Sequence, residues 1–380
     1  MKAKTISGRL TEDIRIALNG AMSDGFKPTL ALVFLSIQID REAICDLLDK
    51  EGVQIFGATT DGEIIDTEID TNSISIMLMD LNPDYFRIIF EEVGQGGYSE
   101  VAKSVSEKSL GLYEKPAFIF TGSGIWKDPY IEKFTDGFKS VFGKDAIVFG
   151  GMAGDGFSLS DTYIFTNKKD SPRAAMVIAI DNSKVEINGI ATCEWKAIGT
   201  PKTITKSIEN KVYGIDGEPP LELLLRYAGI TNPPENTTDL MVELNQSLQI
   251  QLQRDKGDPI MRVAIINREE GYFYFIGSMP EGSKIKFCLL PDLNILDDSI
   301  RAVQDLKKNK MTEADAVLLF ACAGRLTAFG PEIKREVRGI QKIWNAPMAG
   351  FFCQGEFGKA SGGELEVHNL TSICVAFKEI

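Results

Sequence analysis

Residues 53–64 read VQIFGATTDGEI and residues 346–357 read APMAGFFCQGEF, and the two stretches carry one pattern. In each, an apolar strand-like run enters a loop with the spacing G-x-x-x-x-G-E-apolar, which falls on Gly57, Gly62, Glu63 and Ile64 and on Gly350, Gly355, Glu356 and Phe357. A third stretch, IVFGGMAGDG at 147–156, ends in a similar acidic loop. Repeated loops at strand ends can converge on one pocket, and such a pocket is a candidate binding site.

Each of these stretches follows an earlier apolar run and an amphipathic helix pattern. The earlier runs are LALVFLS at 30–36, AFIFTGSG at 117–124 and VLLFACAGR at 317–325. Strand–helix–strand repeats favour parallel strands, whereas the segments between them read as antiparallel strands. We therefore predict an α/β to α+β fold in two domains, with mixed sheets built from strand–helix–strand repeats and antiparallel meanders.

One meander is predicted between residues 161 and 193, where three strand-like runs follow one another and Asp181-Asn182 suits a hairpin turn between the last two. A length of 380 residues fits about two domains. The stretch KSIENKVYGIDGEPP at 206–220 is rich in turn formers and marks the seam. We predict an N-terminal domain over 1–210 and a C-terminal domain over 211–380.

The composition of the chain argues against several classes of binding partner and cofactor. A net charge of -13 opposes binding to nucleic acid or to an anionic membrane, which needs clustered Lys and Arg. The N-terminus lacks a signal-peptide core, and no run of about 18 apolar residues occurs, so we expect a cytoplasmic protein. Six cysteines without C-x-x-C spacing indicate reduced thiols. A single histidine argues against a histidine-based metal site, and no dinucleotide or P-loop fingerprint indicates a cofactor.

The charged residues of the three loops are candidates for ligand contacts. In one pocket, Glu63, Asp155 and Glu356 would hold an ammonium group, an arginine-like head or a metal with oxygen ligands; alternatively, each carboxylate caps its own loop. Arg325 directly follows a strand and suits a ligand carboxylate, or an ion pair with one of those acids. An arginine opposed by acids predicts a zwitterionic, amino-acid-like ligand.

Several uncharged residues are further candidates. Thr60, Ser123 and Asn369 are predicted ligand contacts, although Ser123 also suits a local cap of the helix after Pro129. Cys353 is predicted to line the pocket; alternatively, it is a catalytic nucleophile with His368 and Glu356, or a small buried hydrophobe. No catalytic or metal-binding residue is assigned.

The chain resembles the FIST family, with both its N-terminal and C-terminal domains. The segments that carry the resemblance include GATTDGEI, FGGMAGDG, VYGIDGEPPLELL, LLFACAGR, MAGFFCQGEFG and VHNLTS, from about residue 30 onward. The resemblance implies an intracellular sensory module for small ligands such as amino acids, found alone or fused to chemoreceptor, kinase or cyclic-dinucleotide signalling domains. Some eukaryotic relatives carry an F-box and act as adaptors of ubiquitin ligases.

No transmitter, methyl-accepting coiled coil or F-box is readable in the chain, so we expect a stand-alone input module that signals through a protein partner. The leading hypothesis is a cytoplasmic sensor of a small, amino-acid-like molecule. Two alternatives stay open: an enzyme that uses Cys353, and a protein-binding adaptor without a small ligand.

Overall fold

The computed structural model describes residues 1–125, 131–158, 160–192, 195–254, 259–289 and 293–380, with the backbone alone at 238, 242 and 245–247. The helices are α1 Thr11–Met22, α2 Arg41–Lys50, α3 Gly97–Ser109, α4 Glu132–Phe142, α5 Pro220–Ala228, α6 Thr237–Ser247, α7 Asn294–Asn309, α8 Ala323–Phe329 and α9 Ile333–Trp344.

The strands up to the predicted seam are β1 Ala3–Gly8, β2 Leu30–Ser36, β3 Gln54–Thr60, β4 Glu63–Ile65, β5 Glu68–Asp70, β6 Ile74–Met79, β7 Phe86–Glu92, β8 Pro116–Gly122, β9 Ile147–Met152, β10 Ile164–Phe165, β11 Asp170–Ser171, β12 Ala174–Asp181, β13 Val185–Thr192 and β14 Ala197–Ile208. The later strands are β15 Lys211–Ile215, β16 Leu248–Leu252, β17 Ile260–Arg262, β18 Ala264–Asn267, β19 Tyr272–Phe275, β20 Lys284–Leu289, β21 Ala316–Cys322, β22 Met348–Cys353, β23 Glu356–Gly358, β24 Glu366–His368 and β25 Ser372–Glu379.

Three six-stranded sheets share one plan. The first runs β1-β6-β2-β3-β10-β11, the second β7-β12-β8-β9-β23-β24 and the third β13-β25-β21-β22-β4-β5. In each, only the two strands of the sequence repeat are parallel, and every other neighbour is antiparallel. The threefold pattern of the sequence is therefore a threefold repeat of structure.

The short hairpin that follows each repeat joins the sheet of another repeat. Hairpin β4–β5 follows β3 but pairs with β22, hairpin β10–β11 follows β9 but pairs with β3, and hairpin β23–β24 follows β22 but pairs with β9. Each repeat therefore contributes its hairpin to the sheet of a different repeat, and the three exchanges form a closed cycle. The three sheets are interlocked as a result. The acidic loops are the segments where the chain crosses between sheets.

The three sheets face one another across a shared core, with paired helices outside. The rings of Phe34, Phe320 and Phe351 meet in this core, with centroids 4.7 Å apart for Phe34 and Phe351 and 5.5 Å for Phe320 and Phe351. Helix pairs α1 with α2, α3 with α4 and α7 with α9 pack together on the outer faces. Burial on both faces explains why the central strands read as continuous apolar runs.

A fourth, seven-stranded sheet is formed by the segment between β13 and α7, before the third repeat. It runs β17-β16-β20-β14-β15-β19-β18 and is antiparallel throughout, with α5 and α6 packed on it. The sequence of this region contains the strand-like apolar runs MRVAIIN at 261–267, GYFYFIG at 271–277 and KIKFCLL at 284–290, which predict strands. Strands β17 to β20 overlap these runs, and residue 290 is outside the described residues.

The meander predicted between 161 and 193 is wrong. Strands β10, β12 and β13 belong to the first, second and third sheets respectively. The turn at Asp181 exists, since Lys184 N donates to Asp181 O at 2.9 Å. A turn reverses the chain without pairing the strands beside it, and here β12 pairs with β7 and β8 whereas β13 pairs with β25.

Candidate functional site

The three acidic loops converge. Asp61, Asp155 and Gln354, one from each loop, meet through hydrogen bonds. The Gln354 amide donates to Asp155 Oδ1 at 2.9 Å and to Asp61 Oδ1 at 3.4 Å, and the Asp155 backbone N–H donates to Asp61 Oδ1 at 3.0 Å. All three side chains are buried. We call residues 59–62, 152–157 and 352–355 the three-loop junction.

Backbone hydrogen bonds fix the junction. Asp61 N donates to Phe352 O at 2.9 Å, Phe352 N to Gly62 O at 2.8 Å, and Met152 N to Gly355 O at 2.8 Å. Gly154 allows the closest approach, because a Cβ there would lie 2.4 Å from Asp61 N. The three-loop junction is therefore closely packed, so a ligand would have to bind beside it.

Glu63 lies next to the junction, at the start of β4. Its Oε1 accepts from the Thr60 hydroxyl, and its Oε2 accepts from Ser73 N at 3.1 Å and Ser73 Oγ at 2.7 Å. The carboxylate is 2% exposed and has no cationic partner among the described residues. Burying a carboxylate without a cation destabilises the folded state, and such an arrangement often marks a functional site.

Glu356 repeats this arrangement in the third loop. Its Oε1 accepts from Cys353 Sγ at 3.4 Å, and its Oε2 accepts from Thr371 Oγ1 at 2.8 Å and Thr371 N at 3.3 Å. In both loops, the glutamate carboxylate is thus held by the residue three positions before it and by a hydroxyl residue that directly precedes the next long strand. The two glutamates share no hydrogen-bond partner among the described contacts, so they form two related sites.

Burial controls the protonation of these acids. It raises the pKa of Glu63 to about 7, against the hydrogen bonds from Thr60 and Ser73. It raises the pKa of Glu356 to about 8 in the same way. Burial also raises the pKa of Asp61 to about 6, with the charge of Asp155 adding to the rise. Each acid would therefore lose its proton to solvent when a cationic ligand binds near neutral pH.

Glu63 lines a cavity. The Glu63 cavity has a volume of about 610 Å³. Its wall contains Ser7, Gly8, Arg9, Asp13, Glu63, Ile65, Glu68, Ile69, Asp70 and Ser73. Its volume is in the range of small-molecule sites, about 300–1,000 Å³. The Arg9 guanidinium, largely exposed, faces Asp70 on this wall with Nη2 to Oδ1 and Oδ2 distances of 2.9 Å.

Arg325 lies in α8 with its guanidinium buried. Its Nη2 pairs with Glu336 Oε1 at 2.5 Å, and its Nη1 donates to Leu370 O at 3.2 Å. Both partners of the ion pair are buried. Its observed carboxylate partner is thus Glu336 rather than a loop acid, and its role toward a ligand carboxylate stays a prediction.

Cys353 contacts Glu356, and Asn369 directly follows His368, the residue of β24 that pairs with Glu356. The Cys353 thiol is buried, and burial together with the Glu356 carboxylate raises its pKa well above the usual range. Asn369 Nδ2 donates to His368 O at 3.0 Å. His368 Nε2 lies 3.3 Å from Gly358 O, and burial lowers its pKa to about 3. A thiol with a raised pKa is a poor nucleophile.

Asp155 and Ser123 join separate segments of the chain through hydrogen bonds. Asp155 Oδ1 accepts from Ser158 N at 3.1 Å in addition to Gln354. Ser123 Oγ donates to Ser171 O at 2.9 Å and accepts from Ala174 N at 3.0 Å. The alternative cap by Ser123 of a helix after Pro129 lies partly outside the described residues, because Pro129 is not described.

Sequence reasoning missed Asp61, Gln354, Ser73, Thr371 and Arg9. A signal for the first four was present. Asp61 and Gln354 occupy the same position before the second glycine of their loops, and Ser73 and Thr371 each precede a strand after the repeat. Nothing in the sequence pattern singles out Arg9, which reaches the site from the turn between β1 and α1.

Three further findings bear on function. Within the described parts of the chain, no group of three or more His, Cys, Asp and Glu side chains is placed to hold a metal ion. No described helix has the length and apolar character needed to span a membrane. Cys45, Cys322, Cys353 and Cys374 are free and buried, Cys288 is buried, and Cys193 lies outside the described residues.

The chain belongs to the FIST family, because the FIST N domain matches residues 29–218 and the FIST C domain matches residues 220–359. This confirms the resemblance and the mixed α/β fold in two domains. FIST domains are sensory domains of signal-transduction proteins. Comparison with curated proteins finds no match. The boundary predicted between 210 and 211 stays a prediction; it falls in the turn between β14 and β15.

Proposed function

We propose that this FIST protein is a cytoplasmic sensor that binds a small zwitterionic, amino-acid-like molecule in the Glu63 cavity and passes the signal to a protein partner. One observation supports the ligand class. Glu63 is a buried carboxylate on the cavity wall, and the described residues supply no cation to it. A ligand ammonium group would provide the missing positive charge.

The hydrogen bonds of Glu63 leave room for such a ligand. Three donors from Thr60 and Ser73 occupy part of the capacity of the carboxylate, which is about four lone-pair sites. The donors also orient both oxygens, so an incoming ammonium group would meet a fixed acceptor. Burial strengthens this attraction, because the local dielectric is lower than that of water.

Arg9 is the residue that we assign to the ligand carboxylate. Its present partner, Asp70, is on the cavity wall, and both side chains are well exposed. Exposed ion pairs contribute only about 0–1 kcal/mol, so a ligand carboxylate can replace Asp70 at small cost. Arg325 instead has a fully buried partner. We therefore propose Glu63, Ser73 and Arg9 as the ligand contacts, with Thr60 orienting the Glu63 carboxylate and Arg325 not in contact with the ligand.

The pKa of Glu63 adds a condition on binding. With a pKa of about 7 in the free protein, the carboxyl group is largely protonated below that pH. A cationic ligand binds the ionised form, so binding expels a proton. Affinity is expected to rise as the pH increases through about 7 and to level off above it.

Thermal unfolding of the purified protein against amino acids, amines and uncharged analogues tests the proposal. A ligand present at about 100 times its Kd should stabilise the folded state by about 2.7 kcal/mol. We expect stabilisation by zwitterions or amines and none by their uncharged analogues. Stabilisation by uncharged compounds alone would contradict the ligand class, and silence across the panel would favour the adaptor alternative.

A further inference from the structure

A second charged site lies between α4 and the seven-stranded sheet. Glu132 at the start of α4 directs its carboxylate onto the sheet. Its Oε2 accepts from the backbone N–H of Ser278 at 2.6 Å, and its Oε1 pairs with the guanidinium of Arg262. This contact is far from the Glu63 cavity in the sequence and shares no lining residue with it.

The sheet side of this contact is built to hold an anion. Arg262 is 2% exposed, and its Nη1 is anchored on Val367 O at 3.1 Å. Its Nε has no partner among the described contacts. Gly277 has a φ of +116°, and a Cβ there would lie 2.5 Å from Glu132 Oε1 and 2.6 Å from Arg262 Cζ. The glycine therefore makes the space that the carboxylate fills.

Two cavities flank Glu132. The larger has a volume of about 290 Å³ and includes Arg262, Arg254, Lys139 and Ser283 in its wall. The smaller has a volume of about 200 Å³ and includes Asn210, Gly277 and Ser278. Glu132 and Ser278 lie in the wall of both cavities, and the Glu132 side chain is 22% exposed whereas Arg262 is 2% exposed, so an incoming small molecule can reach the Glu132 carboxylate.

The wall of the larger cavity has internally balanced charges. Lys139 lies 3.3 Å from Asp136, and Arg254 pairs with Glu366. If Glu132 leaves Arg262, the cavity therefore gains one uncompensated positive charge. A buried guanidinium that loses its counter-ion attracts another oxyanion strongly.

We propose that Arg262, the Ser278 N–H and Gly277 form a binding site for a small oxyanion, occupied in this structure by the Glu132 carboxylate. An external carboxylate or phosphate group takes the place of Glu132 through the larger cavity. Displaced Glu132 no longer joins α4 to the seven-stranded sheet. This inference goes beyond the proposed function and does not depend on the Glu63 cavity.

The test compares wild type with Glu132→Gln, using inorganic phosphate and acetate as probes at constant ionic strength. Removal of the internal competitor should lower the phosphate concentration for half-maximal thermal stabilisation by about tenfold or more. Asp136→Asn is the matched control for the change of charge, because Asp136 lines both cavities without contacting Arg262 and its loss frees only Lys139. It should shift the response to phosphate much less than Glu132→Gln does. Stabilisation by one probe alone would define the site as specific for phosphate or for carboxylate.

A second measurement on wild type covers the case in which Glu132→Gln fails to fold. Hydrogen exchange with and without phosphate should show faster exchange in the first turn of α4, since the bound anion frees Glu132. The proposal is overturned if wild type, Glu132→Gln and Asp136→Asn respond alike to both probes. Where the variant does not fold, unchanged exchange in α4 at saturating phosphate overturns it equally.

Discussion

Glu63 and Glu356 show how one residue type is used twice at equivalent positions. Both are buried, both accept from a side chain three residues earlier, and both have raised pKa values. The repeated G-x-x-x-x-G-E spacing predicts their equivalence. Sequence alone leaves two interpretations open, a ligand contact and a local cap, because it does not show which loop faces a cavity. The observed hydrogen bonds join each glutamate to a side chain of its own loop and to the residue before a later strand, and the cavity beside Glu63 leaves room for a ligand as well.

Glu356 should make the stability of the protein fall with rising pH. Its folded-state pKa of about 8 lies above the ordinary value of 4.5. The folded chain therefore holds this proton more tightly than the unfolded chain. The stabilisation is complete below the ordinary pKa and is lost as the pH rises through about 8. Glu356→Gln has no such proton and should gain about 2–5 kcal/mol relative to wild type between about pH 5 and about pH 9.

Urea unfolding of both proteins at the two pH values measures this effect. The difference between variant and wild type is the relevant quantity, since other groups titrate equally in both. A difference that stays the same at both pH values would show that Glu356 does not carry a raised pKa.

At the level of elements, local structure follows from the sequence and sheet pairing does not. The apolar spacing predicts a helix over 11–22, and α1 spans those residues. The strand-like runs SISIMLMD at 73–80 and YFRIIFEEV at 85–93 likewise predict two strands, and β6 and β7 lie within them. Strands β12 and β13 each pair with strands from distant parts of the chain, so the turn that joins them does not predict which strands pair. The exchange of hairpins between sheets has the same origin and leaves no local signal.

The first glycine of each loop should be intolerant of any side chain. In the third sheet, a Cβ on Gly350 would lie 1.9 Å from Leu319 O in the neighbouring parallel strand. The strands would have to separate, so Gly350→Ala should lower the free energy of unfolding by about 1–3 kcal/mol or more. Gly20→Ala in α1 is the control, because nothing lies within 4 Å of its Cβ position. That change should stabilise the helix by about 0.5–1 kcal/mol.

Chemical unfolding of both variants gives the two values. Equal stability of Gly350→Ala and wild type would mean that the parallel pair accommodates a methyl group. The close approach at Gly350 would then have no structural importance.

At the scale of the whole molecule, the two family domains are interlocked. The FIST N segment supplies β4, β5 and β13 to the third sheet, and the FIST C segment supplies β23 to the second. Domain boundaries drawn along the sequence therefore do not coincide with the sheets. Composition and turn formers locate a seam, but they cannot show that strands on either side of it share a sheet.

Residues 1–218 alone should not fold as an independent unit. Without the rest of the chain, β4–β5 and β13 lose their partners, and β9 loses β23. Unpaired buried strands expose apolar surface and free backbone groups. Circular dichroism and thermal unfolding should show no cooperative transition for this fragment, with the full chain as the control. A monomeric fragment with a transition like that of the full chain would contradict the interlocked arrangement.

The most direct test of the proposed sensor is the affinity of the best zwitterionic compound for wild type, Glu63→Gln and Glu68→Gln, measured by calorimetry at about pH 8. Glu68 lines the same cavity but pairs with Arg338 and Lys334, so its replacement controls for a change of charge at the cavity. Loss of a buried charge-assisted contact should weaken binding to Glu63→Gln by about tenfold or more, while Glu68→Gln binds as wild type does. Equal affinity of wild type and Glu63→Gln would contradict the proposed contact between Glu63 and the ligand.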